Sequence, residues 1–156
     1  MAQKGKPDLA AYQQLKRELA AGTAGNLYLF HGEEAYLRDY YLGKLKKLLV
    51  GGGMEEFNLH TLPGKELTPH MLQEAVDCLP MMSERTMVLI YDYDLWKAGE
   101  KDRDAYRNIL ADLPDYCCVV FVYDLIPYKA DARTKLSALF KEKGSVVAFA
   151  RQEQGD

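Results

Sequence analysis

Three stretches of the chain constrain its fold more than anything else: Leu27 to Phe30, Thr86 to Tyr91 and Cys117 to Tyr123 are continuous apolar, β-branched and aromatic runs. A strand with one wet face alternates polar and apolar residues. An unbroken run of this length fits a strand buried on both faces, as in a parallel sheet covered by helices on either side. Two weaker runs, Phe57 to Leu59 and Val146 to Phe149, complete a set of five expected strands.

The segments between these runs have helical spacing. Glu33 to Val50 places Leu37, Tyr41, Leu45, Leu48 and Leu49 on one face and stops at Gly51-Gly52-Gly53. Thr68-Pro69 is a cap followed by proline at the first helical position, opening a helix to about Asp77. Asp102 to Leu113 carries Tyr106, Ile109, Leu110 and Leu113, and Asp131 to Lys143 carries Leu136, Leu139 and Phe140 before Gly144. A first helix runs from about Asp8 to Ala21 and closes at Gly22. Strand and helix alternate five times, which predicts an α/β fold: three layers, αβα, around a mainly parallel five-stranded sheet with right-handed crossovers. The 156 residues fit one domain, with a core at about residues 24–150. The tail Arg151 to Asp156 is too short for another element.

Little catalytic chemistry is written into this frame. Ligands of open α/β sheets bind beyond the carboxyl ends of the strands. There the first turn reads His31-Gly32-Glu33-Glu34, with one glycine and neither the lysine nor the hydroxyl of a phosphate loop. Two carboxylates at a helix start suit the helix dipole and repel a nucleotide phosphate. The glycine triple follows a helix, the wrong side for a phosphate cradle. His31, His60 and His70 are dispersed, and Ser83, Ser137 and Ser145 occupy no strand-turn-helix elbow. Cys117 and Cys118 read as small apolar strand residues, and with Cys78 they offer neither metal spacing nor an even disulfide set. The N-terminal residues Met1 to Pro7 hold no apolar run, so no signal peptide is expected, and a reduced cytoplasm is the expected home. No stretch approaches the length of a membrane span. No cofactor and no metal are expected.

Several segments together resemble the delta family of bacterial DNA polymerase III clamp loaders. They are Leu27-Tyr28-Leu29-Phe30-His31-Gly32-Glu33-Glu34-Ala35-Tyr36-Leu37, then Leu79-Pro80-Met81-Met82-Ser83-Glu84-Arg85-Thr86-Met87-Val88-Leu89, then Asp131-Ala132-Arg133-Thr134-Lys135-Leu136 followed by Gly144-Ser145-Val146-Val147. The resemblance runs from about Leu9 to Ala150. It implies a fold of the P-loop NTPase or AAA+ type with a degenerate phosphate loop, no nucleotide site, and no catalysis by this domain, although the parent holoenzyme is a polymerase. It also implies that residues 1–156 form the first domain only, without the lid and collar domains through which the subunit joins its loader partners. The implied role is to bind the sliding clamp and favour the open ring, with DNA met only indirectly inside the assembled loader.

In that family a short hydrophobic plug holds the clamp where the helix before the third strand ends. The matching positions are Leu79, Pro80, Met81 and Met82. Read without the resemblance, four apolar residues between a helix and a buried strand are core. Pro80 opposes that, because it cannot continue the helix and leaves Met81 and Met82 in a turn, and Ser83-Glu84-Arg85 mark the turn as surface. Methionine is flexible and polarizable, suited to filling an apolar pocket without close shape matching. Many family members have phenylalanines where this chain has Met81 and Met82. Burying two such side chains gives roughly 3–6 kcal/mol before association costs, so a wider rim must contribute, from the Thr68 to Cys78 helix and the residues after Met82.

Two other readings compete. One is a Rossmann-like, metal-dependent phosphotransfer or hydrolase domain using Asp92, Asp94 and Asp124 at strand ends, where acids are also common simply because the chain meets water. The other is direct DNA binding through Lys44, Lys46, Lys47, Lys129, Arg133 and Lys135, against which the net charge of −3 counts.

Overall fold

A computed structural model of the chain describes residues 9–150. Asp8, the N-terminal residues and the tail Arg151 to Asp156 discussed above lie outside the described residues. The elements run α1 (Ala10–Ala21), β1 (Leu27–His31), α2 (Ala35–Val50), α3 (Glu55–Asn58), β2 (Leu59–Pro63), α4 (Pro69–Asp77), β3 (Thr86–Tyr91), α5 (Glu100–Ala111), β4 (Cys117–Val122), α6 (Lys135–Lys143) and β5 (Ser145–Ala148). Short 3-10 turns at Gly64–Glu66 and Leu95–Lys97 follow β2 and β3.

All five strands pair in parallel, in the order β2-β3-β4-β1-β5. The three continuous apolar runs are the three central strands, and burial on both faces is the reason they do not alternate. Side chains divide strictly between the faces. Leu27, Leu29, Val88, Ile90, Cys117, Val119 and Phe121 pack under α4, α5 and α6. Tyr28, Phe30, Met87, Leu89, Cys118, Val120 and Val122 pack under α1 and α2. The result is the three-layer αβα architecture expected. The adjacent cysteines sit one on each face as small core residues, and burial pushes the Cys117 thiol up to about 11 and the Cys118 thiol further up.

Several boundaries differ from the sequence expectation, each for a local physical reason. Phe57 is half-exposed on the short helix α3, and the strand begins only at Leu59 and runs to Pro63. Proline is tolerated there because β2 is an edge strand with one unpaired side. Residues Asp131 to Thr134 do not belong to α6. The Asp131 carbonyl accepts hydrogen bonds from the hydroxyls of Thr134 (2.8 Å) and Ser137 (2.6 Å), while Thr134 caps the helix by accepting from the Ser137 N–H at 3.2 Å. The helix α5 starts at Glu100 and ends at Ala111, two residues earlier than expected at each end. The buried stripe of α2 runs through Arg38, Leu42, Leu45, Leu49 and Val50, while Leu48 is partly exposed. That helix is apolar on nearly every side, so spacing alone could not choose its inner face.

Candidate functional site: two edges of one sheet

The carboxyl edge, where an α/β fold usually takes its ligand, is filled by its own side chains. After β1, Gly32 lies at φ 118°, and a Cβ there would sit 2.5 Å from the Phe149 carbonyl oxygen. The Glu34 N–H donates to that carbonyl at 2.9 Å, and the Phe149 N–H donates to the His31 carbonyl at 2.7 Å. The turn that would have to cradle phosphate is therefore fastened to the chain leaving β5. The helix α2 begins at Ala35, with Glu34 at its cap position and Glu33 just outside.

The three acids of the metal-dependent reading each have an internal partner. Asp92 is held at φ 57°, and its Oδ1 accepts from the N–H groups of Asp124 (2.7 Å), Leu125 (2.9 Å) and Ile126 (3.4 Å). Asp94 caps the 3-10 turn, accepting from the Trp96 N–H at 3.2 Å. Asp124 pairs with Arg38 at 3.0 Å, and Arg38 also reaches Asp39 at 3.1 Å. The Arg38 side chain is almost wholly buried, so a single guanidinium spans from α2 to the exit of β4 beside β1. Among the described residues no group of three His, Cys, Asp or Glu is placed to hold a metal ion.

Aromatic packing completes this edge. His31 stacks on Tyr128 at 4.3 Å, and Tyr128 meets Trp96 and Tyr123, each at 5.6 Å. Burial holds the His31 imidazole down at about 4, so it is neutral at physiological pH. His60 lies in β2 with its pKa also lowered by burial, and exposed His70 pairs with Glu74 at 3.4 Å, so the three histidines are as dispersed in space as in sequence.

The amino edge is built differently. The helix α4 ends at Asp77, and the chain turns through Leu79, Pro80, Met81 and Met82 before entering β3 at Thr86. Leu79 is 75% exposed, Met81 51% and Met82 86%, with Pro80 half-buried beneath them. Met82 takes a positive φ of 52°, uncommon for a residue with a side chain, so the turn has a defined shape. Three exposed apolar side chains within four residues mark this turn off from a chain that buries most of its others.

Asn58 fixes this turn and Arg85 the strand entries beside it, and the sequence reading missed both roles. Asn58, completely buried at the end of α3, holds the backbone of Met81 as a neighbouring strand would. Its Oδ1 accepts from the Met81 N–H at 2.7 Å, and its Nδ2 donates to the Met81 carbonyl at 2.9 Å and the Met54 carbonyl at 3.0 Å. Arg85, expected as a surface marker, is half-buried. Its guanidinium donates to the carbonyls of Tyr116 (3.1 Å), Ala24 (3.4 Å) and Gly25 (3.0 Å). It thereby ties the entries of β3, β4 and β1 together. Asn58 gave no sequence signal beyond being a polar residue within an apolar run.

The basic residues of the DNA-binding reading do not form one patch. Lys44, Lys46 and Lys47 lie on α2, whereas Lys129, Arg133 and Lys135 flank the start of α6 on the other face of the sheet. Arg133 is paired with Asp131 at 3.1 Å. Among the described residues no helix is long and apolar enough to cross a membrane.

Residues 28–150 match the family described as DNA polymerase III, delta subunit. DNA polymerase III subunit delta of Bacillus subtilis strain 168 is 27% identical over 135 residues, which cover 81% of this chain and 38% of that protein. Among solved structures, the fold resembles a DNA clamp loader delta protein of Bacillus subtilis, with a TM-score of 0.75 at 19% identity over 90% of this chain and 43% of that one. It also resembles a DNA polymerase III gamma subunit-related protein of Thermotoga maritima, with a TM-score of 0.61 at 13% identity over 90% of this chain and 47% of that one. The fold is thus that of the AAA+-like clamp-loader proteins, and the chain spans less than half the length of each of these relatives.

Proposed function

The chain belongs to the DNA polymerase III delta subunit family, and from that membership we propose that it grips the sliding clamp through Leu79, Pro80, Met81 and Met82 and favours the open ring, without nucleotide chemistry of its own. The observation that carries the reading is the exposed apolar turn itself, pinned at Met81 by the buried amide of Asn58. A turn held in one conformation before contact loses little entropy on binding, so more of the burial energy of the two methionines reaches the complex. Met81 and Met82 reach into an apolar pocket of the clamp, and the outer side of α4 with Ser83 and Glu84 forms a polar rim.

Ring opening follows from differential binding. A surface that fits an opened clamp interface better than a closed one shifts the ring equilibrium by the difference in affinity and requires no ATP. ATP binding and hydrolysis fall to the other loader subunits, and assembly with them runs through domains outside these 156 residues. The work is cytoplasmic, and DNA is met within the assembled loader.

The test is equilibrium binding of the cognate clamp to the chain and to its Met81→Ala/Met82→Ala variant. The truncated side chains are exposed, so the variant should melt within about 0.5 kcal/mol of the parent. Its affinity should fall by roughly 3 kcal/mol or more, at least a hundredfold. Unchanged affinity would remove the turn from the interface, and no binding by the parent chain would remove the proposal.

A further inference from the structure

A groove of about 490 Å³ lies away from both edges, between α1 and α2. It is lined by the apolar and aromatic Leu19, Tyr40, Tyr41 and Leu48 together with Lys16, Lys44 and Lys47. No acidic residue lines it, although the chain as a whole carries a net charge of −3. None of the three ammonium groups makes an ion pair among the described residues. Lys44 instead lies over the ring of Tyr40 at 5.2 Å, and Lys16 over that of Tyr12 at 5.3 Å.

The exposed side of α2 extends this surface. Tyr36 is 87% exposed, Tyr40 51% and Leu48 39%, and with Lys44 they form one row at four-residue spacing. Successive members of such a row are about 6 Å apart along the axis. Tyr40 meets the neighbouring Tyr41 ring edge-on at 5.1 Å.

Unpaired lysines interleaved with presented aromatic faces have a specific chemical complement. A duplex offers phosphates but keeps its bases stacked, and an acidic peptide offers charge without rings. An extended single strand offers both phosphates for the ammonium groups and bases for the tyrosines. We propose that the α1–α2 groove is a site for single-stranded nucleic acid, with Lys16, Lys44 and Lys47 on phosphates and Tyr40 stacked on a base. The site uses none of the residues of the Leu79 to Met82 turn and stands or falls separately from clamp binding.

The test is fluorescence anisotropy of a labelled oligothymidylate titrated with the chain at low salt. Three phosphate contacts give a slope of log K against log salt of about −2. Lys16→Ala/Lys44→Ala/Lys47→Ala should weaken binding at least tenfold and flatten that slope, with the melting temperature unchanged. Tyr40→Ala should weaken it about tenfold, whereas Tyr40→Phe, which keeps the ring, should not. Four outcomes would overturn the proposal: no binding at low salt, equal binding of a duplex, equal competition by polyglutamate, or indifference to Tyr40→Ala.

Discussion

At the carboxyl ends of the strands, Asp92, Asp94 and Asp124 are each taken up by a partner within the chain, and the turn after β1 is bonded to the backbone of Phe149. At the amino ends, Asn58 and Arg85 likewise bond to loop backbone, and Asn58 holds a turn that keeps three apolar side chains out in water. The same device, a polar side chain bonded to a loop backbone, closes one edge of the sheet through Asp92 and presents a surface at the other through Asn58. An α/β sheet that has given up its customary ligand site can thus keep the rigidity of that edge and use the opposite one for a partner.

The sharpest way to break this comparison within the amino edge is Asn58→Ala. It removes three hydrogen bonds in a buried place and takes from the Met81 N–H and carbonyl the side chain that holds them, while the Met54 carbonyl keeps the backbone amides of Phe57 and Asn58. A loss of about 2–3 kcal/mol in unfolding free energy is expected in a urea titration. Clamp affinity should fall as well, by about 1–2 kcal/mol, because the freed turn must now be ordered on binding. Full clamp affinity in a destabilised variant would mean that Asn58 supports the fold and not the grip.

What the sequence made legible divides along the same line. The central strands were readable because burial on both faces leaves an unbroken apolar run, and the exposed turn was readable because Pro80 stops a helix just before Ser83, Glu84 and Arg85. The edge strand β2 was not, since its burial is mixed and it ends in Pro63. The supports of both edges were hidden for a different reason. Asn58 acts on a residue 23 positions away, Arg85 on carbonyls up to 61 positions away, and Arg38 on an acid beyond β4. Local periodicity carries no information about such pairings. The loss of the phosphate site was legible from the missing glycines, lysine and hydroxyl and from the carboxylates of Glu33 and Glu34, whereas the close approach of Gly32 to Phe149 was not.

His31 gives a smaller effect at the carboxyl edge. Burial depresses its pKa to about 4, against about 6.5 in the unfolded chain. Between those values the unfolded chain holds a proton that the folded chain lacks. Stability is therefore full above pH 6.5, declines as pH falls, and levels off below pH 4. After allowance for its partial contact with water, the loss is roughly 2 kcal/mol. His31→Gln should flatten urea-unfolding stability across this window, leaving a residual slope of the same sign from His60, whose pKa burial also lowers. An unaltered slope in His31→Gln would show that this edge is open to water and not sealed by the stack on Tyr128.

The smallest expected effect is the most direct comparison of the edges as ligand sites: millimolar magnesium and ATP should leave the melting temperature where it was. For phosphate to enter, the Glu34 N–H must leave the Phe149 carbonyl, and for a metal to enter, Asp92 must release three backbone amides or Asp124 its guanidinium partner. Release of Asp124 would leave the buried Arg38 guanidinium with Asp39 alone, at a cost of about 1–3 kcal/mol. A ligand present at tenfold its dissociation constant stabilises the fold by about 1.4 kcal/mol, a shift of several degrees for a domain of this size. A shift of that size would revive the phosphotransfer reading at Asp92, Asp94 and Asp124, and would show that the internal bonds of the carboxyl edge are a resting arrangement that a nucleotide displaces. The bonds at Asp92 argue otherwise, because one carboxylate oxygen accepts from three successive amides of the loop leaving β4.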